Sequence, residues 1–290
     1  MIDILILTHN NIKTLPKCIN SIKNNTYNPY KIYILDNAST DKEFIEYLKS
    51  IQCRNIKIYF NKKNTGISAG RYFLSEKANN KYIMFLDSDM IVSQAWDKIM
   101  IKIFEMPLAG AVGAKFTIEN SNIIHANGGF YKIEDEFIIF KHYDKGLWSY
   151  DIRSMEIRSC NWLPGGAMMI TKEVNNLIKY SNKYYKVGFE DIDFSFTLKR
   201  AAYNLYNCPF TDFKHLSNEK SEDYKDIRMN KLELLKSAII FFKKWKLNPI
   251  KSWKLHKFIF GEDINDDELK NIFEKISSTT NDKILEQFIC

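Results

Sequence analysis

Cysteine is sparse and scattered: Cys18, Cys53, Cys160, Cys208 and Cys290 show no CxxC spacing. This argues against a disulfide framework or a thiolate zinc site and fits a reducing compartment. Arginine is scarce beside lysine, and the formal charge of +7 is moderate. A dedicated nucleic-acid binder more often clusters arginine, so no nucleic-acid partner is expected. No apolar run approaches the roughly 20 residues that span a bilayer. The opening Met1-Ile2-Asp3-Ile4-Leu5-Ile6-Leu7 lacks the basic start of a signal peptide and reads as a first strand. A cytoplasmic protein is expected. Neither GxGxxG nor GxxxxGK(S/T) follows that strand, where Leu7-Thr8-His9-Asn10-Asn11 stands instead. Dinucleotide and P-loop folds therefore lack support.

What is present is alternation. Residues 2–7, 31–35, 56–60 and 82–86 read as apolar strands. Between and after them, 12–23, a segment marked by Phe44, Ile45 and Leu48, 67–78 and 93–104 carry helical spacing. Strand, helix, strand at these lengths predicts right-handed crossovers and a mostly parallel sheet. With 290 residues the chain can bury one large core with an appended subdomain. Beyond residue 108 the pattern turns irregular, with glycine pairs at Gly128-Gly129 and Gly165-Gly166. Helical periodicity returns at about 190–202, and a long helical segment is expected from near 223. Residues 231–260 carry eight lysines and one glutamate among aromatic residues, and an acidic, helical stretch over 262–290 follows. The lysine-rich stretch is either a solvated helix face or a contact with anionic lipid.

The most informative stretch is Tyr82–Leu86 followed by Asp87-Ser88-Asp89. Two carboxylates at the end of a buried strand repel each other and resist desolvation unless a hard divalent cation lies beside them. The plain alternative is a polar turn with Asp89 capping the next helix. Polar clusters also end the other strands: Thr8 and Asn10, Asp36-Asn37-Ala38-Ser39-Thr40, and Asn64-Thr65-Gly66. Each alone is an ordinary turn. Together they would line one crevice at the carboxyl edge of the sheet. Asp36 could accept from a base or ribose, and Arg71, one turn past Gly66, could reach a phosphate or the base.

Three further signals follow. In Gly188-Phe189-Glu190-Asp191-Ile192-Asp193, three carboxylates open an apparent helix. Capping accounts for some of that charge, and a general base for a hydroxyl nucleophile would account for more. His215, after the strand Asn204–Cys208, is either structural or a metal ligand. Trp162-Leu163-Pro164-Gly165-Gly166 reads as a tight turn, or as a backbone that approaches a ligand beside an indole on which a sugar stacks.

Over roughly residues 2–245 this ordered set resembles the inverting nucleotide-sugar glycosyltransferases of the GT-A fold, family 2. The resemblance implies an α/β fold, Rossmann-like, with a mostly parallel central sheet flanked by helices. It implies a catalytic domain over 1–225 and a helical extension over 226–290. Donor-binding roles would fall to Thr8, Asn10, Asp36, Asn64, Gly66, Arg71, Asp87, Ser88 and Asp89. Mn²⁺ or Mg²⁺ would sit at Asp89, His215 and Asp87. Asp191 would be the base and Glu190 would position the acceptor. Trp162, Gly165 and Gly166 would lie against the donor sugar or the acceptor. The donor expected first is a UDP-sugar, with a dTDP-sugar as the alternative. The acceptor would be a glycan, a lipid-linked sugar or a protein in surface polysaccharide or glycoconjugate synthesis, met in the cytoplasm or at the inner face of the membrane. A retaining GT-A enzyme and a non-catalytic sugar-nucleotide-binding protein are the rivals.

Overall fold

The computed structural model describes residues 1–216, 229–261, 264–279 and 281–289. The first half alternates: β1 (Ile2–Thr8), α1 (Leu15–Asn25), β2 (Tyr30–Asp36), α2 (Lys42–Ile51), β3 (Ile56–Phe60), α3 (Gly66–Lys77) and β4 (Tyr82–Asp87). Next come β5 (Met90–Ile91), α4 (Trp96–Ile103), β6 (Ala109–Ile118), β7 (Ile124–Ala126) and the hairpin β8 (Gly129–Glu134) and β9 (Phe137–His142). Then follow β10 (Ser159–Cys160), β11 (Ala167–Thr171), α5 (Lys172–Leu177), α6 (Glu190–Arg200) and β12 (Asn204–His215). The described tail holds α7 (Lys231–Trp245), α8 (Leu255–Phe260), α9 (Asp266–Ser277) and α10 (Asp282–Glu286).

The central sheet runs β10-β12-β6-β11-β4-β1-β2-β3. Strands β1, β2, β3 and β4 are parallel, and β6 and β12 are parallel to each other. Strand β11 inserts antiparallel between β4 and β6. Alternation along β1 divides its side chains between two cores. Ile2, Ile4 and Ile6 pack with α1, α2 and α4, whereas Leu5 packs with Leu74 of α3 and Phe194 of α6. Each such fully buried aliphatic stabilises the fold by about 1.5–3 kcal/mol. Burial on both faces leaves the carboxyl edge of the sheet as the place for polar groups. The sheet is mixed and mostly parallel, flanked by helices, with helices also in the tail.

Two expectations change. Asp89 caps no helix, because the short strand β5 follows it and α4 begins only at Trp96. The strand expected over Asn204–Cys208 continues to His215. Pro209 lacks an N–H and signals an end, yet the pairing with β6 shifts register between Cys208 and Phe213 and then resumes. Finally, the helix start near 223 and the domain boundary at 225 lie outside the described residues. Within them, α7 to α10 share a core with β9, Trp162 and the start of α6 through Phe140, Ile192, Phe241 and Phe273. Lysines of the basic stretch find acidic partners: Lys236 with Asp282 at 2.6 Å, Lys251 with Asp266 at 2.6 Å, and Lys244 with Asp193 at 2.7 Å. No described helix is long and apolar enough to cross a membrane.

Candidate active site

Register builds the site. Thr8 lies opposite Asp36, which lies opposite Phe60, while Leu7 lies opposite Asp87. Their loops open into a crevice enclosing about 720 Å³ out to its mouth. Its wall includes Thr8, His9, Asn11, Asn37, Asn64, Gly66, Asp87, Ser88, Asp89 and Lys186. Side-chain amides hold these loops in place. Asn37 Oδ1 accepts from Thr65 N and Asn61 Nδ2, both at 3.0 Å, and its Nδ2 donates to Asn64 Oδ1 at 2.9 Å. Asn11 Nδ2 donates to Ser88 Oγ at 2.7 Å. Thr8 Oγ1, in contrast, is buried with no partner among the described residues.

Asn10 and Asp36 stand behind this wall. The Asn10 carboxamide oxygen accepts from Thr40 N and Asp41 N, at 2.9 and 3.0 Å. Asp36 accepts from the Ser39 hydroxyl and amide. Burial raises the Asp36 carboxyl above its usual range, and the Ser39 hydrogen bonds oppose that rise. Both residues fasten the loop after β2.

At one end of the crevice, β5 pairs with the end of β12 and sets His215 opposite Met90. His215 Nε2 comes within 3.3 Å of Asp89 Oδ2, and Leu216 N donates to Asp89 O at 2.9 Å. His215 Nδ1 is buried with no partner among the described residues. A carboxylate oxygen and an imidazole nitrogen this close fit a shared divalent cation that completes its shell with non-protein oxygens. Asp87 does not join them, and among the described residues no three His, Cys, Asp or Glu side chains converge for a metal. Asp87 turns to Arg71 instead, where a guanidinium offsets its charge. His125, which the sequence did not single out, packs edge-on against His215 with ring centroids 5.4 Å apart. Its strand β7 is too short to give a pattern. Burial, chiefly, and the neighbouring His125 depress His142 to about 3, keeping that imidazole neutral.

Arg71 corrects the sequence reading. It is not free for a phosphate or base, because it is buried in a network beneath the crevice. Its Nη2 donates to Asp87 Oδ1 at 2.9 Å and to Gly165 O at 2.8 Å, and its Nη1 to Glu190 Oε1 at 3.3 Å. The Gly165 amide donates to Asp191 Oδ2 at 2.9 Å, and Ile192 N donates to Asp191 Oδ1 at 2.8 Å. A Cβ at residue 165 would overlap the guanidinium, and one at 166 would lie 2.8 Å from Met90 Cε. The two glycines therefore let the backbone pass between the Asp87 loop and the start of α6. Burial, then the neighbouring Asp191 charge, push Glu190 up to about 7, against the pull of Arg71. Burial also raises Asp191, opposed by the Gly165 amide and by Arg71.

Trp162 is the second correction. The indole is 2% exposed, donates from Nε1 to Phe130 O at 3.1 Å, and lies 4.8 Å from the His142 ring. It supports the β8–β9 hairpin over Gly129, so neither face is offered to a sugar.

The fold is shared with GT-A glycosyltransferases. A structure of GalNAc-T7 with UDP, GalNAc and Mn²⁺ superposes with a TM-score of 0.59 at 17% identity, covering 74% of this chain and 43% of that one. The mannosyltransferase PcManGT of Pyrobaculum calidifontis, in complex with GDP-Man and Mn²⁺, gives 0.54 at 12% identity over 95% of this chain and 68% of that one. In sequence, residues 3–163 match Glycosyl transferase family 2, and the chain belongs to that family. An uncharacterized glycosyltransferase of Rickettsia conorii is 32% identical over 160 residues, 55% of this chain and 24% of that protein. The chain thus spans about a quarter of the length of the relatives it matches first.

Proposed function

We propose that this chain transfers a sugar from a nucleoside-diphosphate donor to an acceptor hydroxyl, inverting the anomeric carbon. The observation that carries this reading is the Asp89–His215 contact at one end of a crevice on whose wall Thr8 Oγ1 has no partner among the described residues. Thr8 would meet the nucleoside, while Asn64, Gly66 and Ser88 shape the wall around it.

Asp89 and His215 would hold Mn²⁺ or Mg²⁺, whose chemistry when bound is to neutralise charge growing on the leaving diphosphate. Asp191 is the proposed base. The Gly165 and Ile192 amides fix both of its carboxylate oxygens, which orients the carboxylate toward one acceptor position. Its raised pKa makes it a stronger proton acceptor than a solvated aspartate. Proton removal by Asp191 accompanies attack of the acceptor oxygen on the face opposite the diphosphate. Glu190, bonded to Arg71, would position the acceptor from behind.

UDP is the nucleotide proposed first and dTDP second. UDP and GDP-Man in the two structural neighbours support trying both bases. The acceptor is proposed to be a glycan, lipid-linked or protein hydroxyl in surface polysaccharide or glycoconjugate synthesis. The test is thermal stabilisation of the chain by UDP, GDP, dTDP and CMP, each with Mn²⁺ and with EDTA. A shift by one nucleotide that EDTA abolishes is expected. No shift with any of them at millimolar concentration would overturn the reading. The anomer of the transferred sugar then separates inversion from retention.

A further inference from the structure

We infer that Lys186 is a diphosphate-binding residue of the proposed donor crevice. The inference rests on that reading and adds to it a residue outside every sequence motif. Lys186 is the only lysine or arginine among the described residues of the crevice wall. Three neighbours fix its backbone. Its carbonyl accepts from Ile67 N in the first turn of α3 at 3.1 Å, and its amide donates to Glu233 Oε2 of α7 at 3.3 Å. The next carbonyl, of Val187, accepts from Ser237 Oγ of α7 at 2.8 Å. Gly66 makes the approach to α3 feasible, since a Cβ there would lie 2.7 Å from Lys186 Cα.

This anchoring applies to the main chain alone. The side chain is exposed, and its ammonium has no ion-pair partner among the described residues. The Asp87 carboxylate on the wall is already matched by Arg71. The crevice wall therefore carries one lysine, exposed and on a fixed backbone, at the edge where a donor would lie. A diphosphate is the portion of a nucleotide sugar that carries negative charge, and a lysine ammonium binds it as a mobile point charge.

The test uses calorimetric titration of the full chain, with Mn²⁺ present, by UDP, GDP, dTDP and CDP. The nucleotide that binds is then compared with its monophosphate, its nucleoside and inorganic pyrophosphate. Lys186→Met retains the aliphatic stem at an exposed position, and Lys186→Arg retains the charge. The Met variant is expected to lose about 10-fold or more in affinity for the diphosphate, the usual scale for a hydrogen bond to a charged group. Its affinity for the nucleoside should change less than about 3-fold, and Arg should restore most of the loss. Weakened pyrophosphate binding in parallel would place the contact on the phosphates rather than the nucleoside. Diphosphate affinity within about 2-fold of the unaltered chain, or an equal loss for diphosphate and nucleoside, would overturn the inference while leaving the crevice reading intact. Absence of binding by all four nucleotides to the unaltered chain would overturn both.

Discussion

The crevice wall and the ionic network beneath it use the same residue types in opposite ways. On the wall, Thr8 Oγ1 has no partner among the described residues, and Lys186 is exposed with no described ion pair. Beneath it, Arg71, Asp87, Glu190, Asp191 and the Gly165 peptide bind one another. Buried polar groups are ordinarily satisfied, so the Thr8 hydroxyl at the crevice is a candidate ligand contact. A network satisfied internally points instead to pre-organisation. Asp191 belongs to both regions: its oxygens are held from below, yet the residue is partly exposed.

Removing Asp191 is the most direct way to break this comparison. Asp191→Asn is expected to lower transfer about 10²- to 10⁴-fold, the usual span for a general base, while donor affinity stays within a few-fold. Turnover and nucleotide titration measure the two quantities separately. Near-normal transfer would remove Asp191 from the mechanism.

Arg71→Met should act on stability before chemistry. It leaves Asp87 and the buried Glu190 without their guanidinium, and breaking a buried pair from one side costs about 3–5 kcal/mol. Urea denaturation reads that loss. A cost below about 1 kcal/mol would mean that the network tolerates the vacancy and that Arg71 is closer to a ligand contact than to an internal tie.

His215→Ala tests the wall. It should abolish the additional stabilisation that Mn²⁺ gives to nucleotide binding, while changing the melting temperature of the ligand-free chain by only a few degrees. Metal-independent nucleotide binding in both proteins would sever Asp89 and His215 from the donor.

Much of the scaffold was legible because apolar strands and helical spacing recur without interruption through β4. The ends of β1 and β2 and the Asp87–Asp89 loop can therefore be aligned on one edge from the sequence alone. What was illegible depends on distant partners. Arg71 meets groups 16, 94 and 119 residues away, and nothing local separates such an arginine from a phosphate ligand. Trp162 reads the same before a turn whether its indole faces a sugar or a hairpin. Lys186 is one lysine in a lysine-rich chain, and only its approach to Gly66 marks it out. The long β12 reads in sequence as ending at Cys208, since a bulge that resumes pairing has no sequence signature separate from a strand end.

The smallest expected effect concerns pH and sharpens the contrast from the network side. Burial and the Asp191 charge raise Glu190 from the ordinary glutamate range to about 7 in the folded chain. Between those values the folded state holds more protons than the unfolded one, so stability falls as pH rises through that window and levels off above it. The Glu190 contribution is fully present below the unfolded pKa and lost once the folded pKa is passed. Glu190→Gln retains an oxygen to accept from Arg71 and removes the titration. Its melting temperature should therefore change less between pH 5 and pH 8 than that of the unaltered chain. An unchanged slope would mean that Arg71 holds Glu190 ionised throughout, making the network a set of permanent charges rather than one that takes up a proton.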